Sequence, residues 1–139
     1  MIQRTAKIFY IEDSAGDVLL MRSAFTEFGR QVTFEVARDG ESGLRRLRMF
    51  AEDPEHGPDL ILLDLNLPAM NGFEILADLR DGVRLQIPIV VVTTSRNDGD
   101  RERCRSLGCS GYYLKPNSLD GFRWLVYQLE GVLNAQAEP

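Results

Sequence analysis

Asp64 closes the strand-like run in DLILLDLNLP, Asp59 to Pro68, where four apolar residues end on a carboxylate. A buried strand has no place for an unpaired charge, so Asp64 either enters solvent as a loop residue or is delivered to a site. Three other apolar runs end in the same way: KIFYI is followed by Glu12 and Asp13, IVVV by Thr93 and Thr94, and GYYL by Lys115. Carboxylates brought together repel by about 4 kcal/mol per pair at ~4 Å with an effective dielectric near ~20, so such a cluster calls for a cation. Hard oxygen ligands, few in number, suit Mg²⁺, which keeps several waters and shares its coordination with a phosphoryl group. With a metal and a lysine to neutralise charge, one carboxylate could act as nucleophile and become an acyl phosphate. A hydroxyl and the lysine would then hold the phosphoryl oxygens. Taken singly, each of these residues is an ordinary solvated polar group; the set is what suggests chemistry.

The elements that must bring them together follow from periodicity. Short apolar runs predict strands at Lys7 to Ile11, Val32 to Ala37, Leu60 to Leu63, Ile89 to Thr93 and Gly111 to Leu114. Three of them are almost continuously apolar, as expected of strands covered on both faces. Between them lie amphipathic segments. The first opens with Ser14 and Asp17 at capping-box spacing, carries Val18, Met21, Phe25 and Phe28, and stops at Gly29. The second runs from about Glu41 to Ala51, and the third opens at Gly72 with Phe73, Leu76 and Leu79. The fourth spans Asp98 to Leu107 before Gly108, and the fifth begins near Ser118. This is an α/β chain of five βα units, and right-handed crossovers make it a doubly wound parallel sheet. Ligands of such sheets bind outside the carboxyl ends of the strands, where Glu12, Asp13, Asp64, Thr93 and Lys115 all stand.

Composition excludes several functions. The 139 residues suit one domain, and 44% hydrophobic with 27% charged residues is ordinary for a globular chain. A net charge of −5 argues against nucleic-acid binding, and the one basic cluster, Arg45, Arg46 and Arg48, reads as a solvated helix face beside inward Leu44 and Leu47. No window reaches the length of a membrane span and MIQRTAKIFYIED does not resemble a secretion signal, so a cytoplasmic protein is expected. Cys104 and Cys109 fit neither a zinc nor a CxxC pattern and read as reduced, partly buried thiols. His56, in EDPEHGP, reads as a surface residue.

The motifs IEDS (Ile11 to Ser14), LLDLNLPAMNG (Leu62 to Gly72), VVTTS (Val91 to Ser95) and YYLKP (Tyr112 to Pro116) resemble, in order and spacing, the receiver domain of two-component response regulators. The resemblance spans Lys7 to Leu133. It implies a flavodoxin-like fold of strand order 2-1-3-4-5 and a single receiver domain over residues 1–139 without an effector domain. It implies that Asp64 accepts a phosphoryl group from a sensor histidine kinase, and that Glu12, Asp13, Asp64 and the backbone carbonyl of Asn66 hold Mg²⁺ directly or through water. Thr93 and Lys115 would contact the phosphoryl group, and Asn66 and Ser95 would tune dephosphorylation. Thr93 and Tyr112 would form a switch, Tyr112 swinging inward behind Thr93. Lys115-Pro116 is similar to a family position with a cis peptide bond. Such a domain promotes only its own phosphorylation and dephosphorylation and is not otherwise an enzyme.

At finer grain, the continuation of IEDS through Gly16 to Leu20, the Asp39-Gly40 turn, the acidic loop Glu52 to Pro58 and the LDLNLP and VVVTTS wording resemble the small stand-alone regulators that partner bacterial phytochromes. Here Ser14-Ala15-Gly16 replaces that group's usual Asn-Pro-Ala. Two other classes compete. A haloacid-dehalogenase-like phosphatase needs an acid two residues after its nucleophile, where this chain has Asn66. A receiver-like scaffold that never takes phosphate would not need the complete acidic set, whereas a phosphate sink that signals without its own output would keep it.

The segment SLDGFRWLVYQLEGVL carries a core stripe of Leu119, Phe122, Val126, Leu129 and Leu133 at helical spacing. Trp124, Tyr127 and Gly131 form a second line, with Leu125 and Val132 widening the apolar surface. Large aromatics beside a complete core stripe suggest an interface. A homodimer is therefore expected, built on the fifth helix with the neighbouring fourth helix and fifth strand, a face that the family resemblance also favours.

Overall fold

A computed structural model describes residues 5–81 and 85–137. The strands are β1 (Ala6–Ile11), β2 (Val32–Ala37), β3 (Leu60–Leu63), β4 (Ile89–Thr93) and β5 (Gly111–Leu114). They alternate with the helices α1 (Ala15–Phe28), α2 (Gly40–Glu52), α3 (Gly72–Asp81), α4 (Asp98–Ser106) and α5 (Leu119–Ala137), with a short 3₁₀ turn at Pro54–His56. All the strand pairs are parallel, in the order β2-β1-β3-β4-β5. The sheet is therefore the expected one, and only β1 differs in extent, beginning one residue earlier at Ala6.

Burial follows that order. Every residue of β3 and β4 is buried, whereas the edge strands β2 and β5 are mostly half-covered. Alternate side chains divide the core into two layers. On one face Phe9, Ile61 and Leu63 pack with Leu47 of α2, Leu76 of α3 and Cys104 of α4. On the other, Tyr10, Leu62 and Val92 pack with Phe25 of α1 and with Phe122 and Val126 of α5. Each fully buried side chain of this size contributes about 1.5–3 kcal/mol relative to exposure.

Helix ends are set locally. The hydroxyl of Ser14 accepts from the Asp17 N–H, Asp39 accepts from Ser42, Asn71 from Glu74, Asn97 from Gly99 and Ser118 from Gly121. Gly29, at φ 87°, stops α1, and Gly108, at φ 92°, follows α4.

Several expectations are corrected. Leu125 is buried in the second core layer, because α5 packs on α1 as well as on the sheet and so needs two inward stripes. No cis peptide bond occurs among the described residues, so Lys115-Pro116 is trans. The capping box is half-formed: Asp17 does not return a bond to the Ser14 N–H, which donates instead to Glu12. The basic cluster of α2 is, as expected, a surface face beside buried Leu44 and Leu47, and it is ion-paired, Arg46 with Glu35, Arg48 with Asp78 and Arg45 with Glu41. His56 is exposed beside Asp53, and the two thiols are free, Cys104 buried and Cys109 half-buried. No helix among the described residues is long and apolar enough to cross a membrane.

Candidate functional site

The carboxyl edge of the sheet assembles from backbone pairing before any side chain acts. The Glu12 N–H donates to Ala37 O, the Asp64 N–H to Ile11 O and the Lys115 N–H to Thr93 O. These bonds bring the ends of β1, β3, β4 and β5 into line. Beyond β3, the Met70 N–H donates to Pro68 O at 2.7 Å across Ala69, whose φ of 66° is one an L-residue seldom adopts. Gly72 then returns its N–H to Leu65 O, closing the loop against the strand end.

Carboxylate oxygens from Glu12, Asp13 and Asp64 lie within 4.8 Å of one another. Glu12 and Asp64 are 1% and 2% exposed, while Asp13 faces solvent. Lys115 reaches into the cluster, its Nζ 2.6 Å from Glu12 Oε1, 3.1 Å from Asp17 Oδ2 and 3.3 Å from Asp64 Oδ2. Glu12 also accepts from the Tyr10 hydroxyl and the Ser14 N–H. Burial and the neighbouring Asp64 push Glu12 up to about 7, against the pull of Lys115. For Lys115 burial acts downward, but the bond to Glu12 and the charges of Asp64 and Glu12 outweigh it and hold the ammonium above its ordinary value.

One ammonium does not balance these carboxylates, and the donors are all oxygen with one solvent-facing member. This set fits a hard divalent ion that keeps part of its water, such as Mg²⁺. Glu12, Asp13 and Asp64 would hold it. The ion would supply positive charge against incoming phosphoryl oxygens.

Opposite the carboxylates, Thr93 is buried and its Oγ1 accepts from Asn66 Nδ2 at 3.3 Å and from the Ser95 N–H at 3.2 Å. Both acceptor positions being used, its proton remains free to donate. Asn66 donates its backbone N–H to Asp64 Oδ1 at 3.0 Å and its amide also to Thr94 Oγ1. The Ser95 hydroxyl turns to Asp100 Oδ2 at 2.5 Å, and its carbonyl accepts from the Tyr112 hydroxyl at 3.1 Å. Arg101 stacks over the Tyr112 ring, 5.0 Å from its centroid.

Glu12, Asp13, Asp64, Asn66, Thr93 and Lys115 therefore meet at one edge, with Ser95 and Tyr112 tied to it through Thr93. Asp17, Thr94 and Asp100 join them without having been anticipated from sequence in these contacts; Asp17 had a visible signal, an acid one turn beyond the acidic pair. Trp124 and Tyr127 lie elsewhere, on α5. They rest edge-on against Tyr113 and Phe28 yet remain 57% and 67% exposed.

A doubly wound parallel sheet of order 2-1-3-4-5, with an acidic cluster and a paired lysine at the carboxyl ends of its strands, defines a flavodoxin-like α/β protein. Residues 8–126 match the response regulator receiver domain, and the chain belongs to that family. Receiver domains are signalling domains that histidine kinases phosphorylate on aspartate, and they bind Mg²⁺ in an acidic pocket. Over 119 residues the chain is 36% identical to the polar-differentiation response regulator DivK of Brucella ovis, covering 85% of this chain and 90% of that one. The phosphorylated cyanobacterial phytochrome response regulator RcpA is similar at a TM-score of 0.78 and 33% identity, over 97% of this chain and 98% of that one. The Mn²⁺-bound form of the response regulator Rcp1 is similar at 0.76 and 32%, over 90% and 91%. The phytochrome-regulator resemblance seen in the sequence agrees with the first of these structures.

Proposed function

We propose that the protein takes a phosphoryl group from a sensor histidine kinase onto Asp64 and returns it to water in a Mg²⁺-dependent cycle. The observation that carries this is the place of Asp64: buried at the end of β3, beside two further carboxylates and 3.3 Å from Lys115 Nζ. In the transfer, an Asp64 carboxylate oxygen forms a bond to phosphorus as the bond from phosphorus to the donor nitrogen breaks. The electron pair stays on the imidazole nitrogen, which is thereby freed. Lys115 and the Thr93 hydroxyl bind phosphoryl oxygens, and Glu12, Asp13, Asp64 and the backbone carbonyl of Asn66 would hold the metal, which would supply positive charge there. Asn66 and Ser95 flank the path of the attacking water and set the lifetime of the acyl phosphate.

The kinase partner we infer is a bacterial phytochrome, a reading supported by the similarity to RcpA and by the LDLNLP and VVVTTS motifs and the acidic loop Glu52 to Pro58. Thr93 and Tyr112 form the switch, joined through Ser95, and a homodimer through the α4-β5-α5 face carries the output. The test is labelling by a small-molecule phosphodonor. Asp64→Asn, nearly isosteric, is expected to abolish Mg²⁺-dependent labelling and keep the fold; undiminished labelling refutes the assignment.

A further inference from the structure

We propose that Asp17 is a positioning residue for phosphoryl transfer, acting as the anchor that holds the Lys115 ammonium at the acceptor. The inference rests on the reading of Asp64 as acceptor. Lys115 carries three N–H donors, and three carboxylates surround it, Glu12 at 2.6 Å, Asp17 at 3.1 Å and Asp64 at 3.3 Å. These three partners are not equivalent. Glu12 and Asp64 belong to the cluster suited to a cation, whereas Asp17 lies outside it. Any metal or phosphoryl group that arrives redistributes the charge of Glu12 and Asp64. Asp17, on the first turn of α1, stays where the helix puts it.

The local structure gives Asp17 no competing task. At its position, three residues after the Ser14 cap, an acid would ordinarily reach back to the N–H of the capping residue. That N–H is taken by Glu12 Oε2, at 3.3 Å, so the Asp17 carboxylate is released toward Lys115. Its cap contribution comes from its own backbone N–H, donated to Ser14 Oγ, and any substituted residue except proline would keep that bond. The side chain is 25% exposed, against 0% for Glu12 and 3% for Asp64, so it holds the lysine from the rim rather than from within. Positions of catalytic groups matter steeply, since a displacement of about 1 Å can cost on the order of a hundredfold in rate.

The sign of the effect separates positioning from simple charge relief. Removing a carboxylate near the acceptor would, by electrostatics alone, ease the approach of an anionic donor and speed labelling. Loss of an anchor slows it. Rates of labelling by acetyl phosphate with Mg²⁺ are measured for the wild type, Asp17→Asn, Asp17→Ala and Asp17→Glu, alongside melting temperatures. Slowing by about fivefold or more in the Asn and Ala variants is expected, with melting within about 2 °C of the wild type and with Asp17→Glu restoring the rate to within about twofold. Unchanged or faster labelling in Asp17→Asn overturns the proposal. So does slowing accompanied by a larger fall in melting temperature, which marks a purely structural role, and so does failure of Asp17→Glu to restore the rate. Asp64→Asn run in parallel keeps the two questions apart: if that variant labels normally, the acceptor assignment fails and the anchor falls with it.

Discussion

Gly72→Ala should disturb the phosphoacceptor through the backbone alone. Gly72 opens α3 and donates its N–H to Leu65 O. A Cβ placed there would lie 2.7 Å from Leu65 Cδ2 and 3.0 Å from both the Asp64 carbonyl oxygen and Leu65 Cα. The leucine methyl can turn away. The two backbone atoms cannot, and comfortable contact near ~3.5 Å requires the strand-end loop and the helix to part by about 0.5 Å. Overpacking of this kind costs about 1–3 kcal/mol, and the lower entropy of alanine in the unfolded chain returns about 0.4–1 kcal/mol. The net is about 1–2 kcal/mol of lost stability, a melting temperature lower by roughly 3–8 °C for a chain of this size.

Gly131→Ala is the control. It lies within α5 with no atom inside 4 Å of the added methyl, and should gain about 0.5–1 kcal/mol. Urea unfolding measures both, and the labelling rate of Gly72→Ala is expected to fall about tenfold, since the displaced carbonyl belongs to Asp64 itself. Equal or greater stability in Gly72→Ala, or a loss in Gly131→Ala, would show that these close approaches do not govern the loop.

Two further outcomes are expected. Arg30 and Glu130 form a buried pair through one 3.3 Å contact, leaving Arg30 Nε and Glu130 Oε1 without partners. Glu130→Ala should therefore cost about 3–5 kcal/mol in urea unfolding, while replacing both by Met and Leu should be neutral or stabilising; a single-variant loss under about 1 kcal/mol contradicts the pairing. Burial raises the Glu130 carboxyl against the pull of Arg30, so the folded chain holds that proton more tightly than the unfolded one. Its contribution to stability therefore grows as pH falls toward the ordinary glutamate range, and Glu130→Gln should remove that slope. Light scattering after size exclusion is expected to give a dimer that Trp124→Ala with Tyr127→Ala converts to a monomer. A monomeric wild type with and without a phosphoryl mimic refutes the dimer, and a dimer indifferent to the double change places the interface elsewhere.

The strands were legible because their type is written in runs of Leu, Ile and Val and their ends in single polar residues. Asp64, Glu12, Thr93 and Lys115 could be named for the same reason: each interrupts an apolar run at its carboxyl end. Asp17 and Asp100 interrupt no apolar run, and Thr94, although it follows one, gives no sign of its contact with Asn66. Their partners lie 98, 28 and 5 residues away along the chain, and which polar neighbour a side chain at a helix start or in a loop selects depends on geometry that periodicity does not encode. Leu125 was misassigned because a complete single stripe on α5 left it apparently outside; helix α1, packed alongside, supplies the second surface that buries it.

Ser95 is where the pocket and the far side of β5 become mechanically joined. Its N–H holds Thr93 Oγ1, its hydroxyl holds Asp100 on α4, and its carbonyl receives the Tyr112 hydroxyl. If the Thr93 hydroxyl turns toward a phosphoryl group on Asp64, the half-buried Ser95 N–H must follow or exchange its acceptor for water. Following it shifts the carbonyl that positions Tyr112 and the carboxylate that fixes the start of α4. Tyr113, the next residue, points to the opposite face and meets Trp124 at 6.0 Å between ring centroids. One short strand thus presents the proposed switch on one side and supports the exposed aromatic face on the other. A movement of β5 large enough to relieve Ser95 cannot leave the seating of Trp124 unchanged.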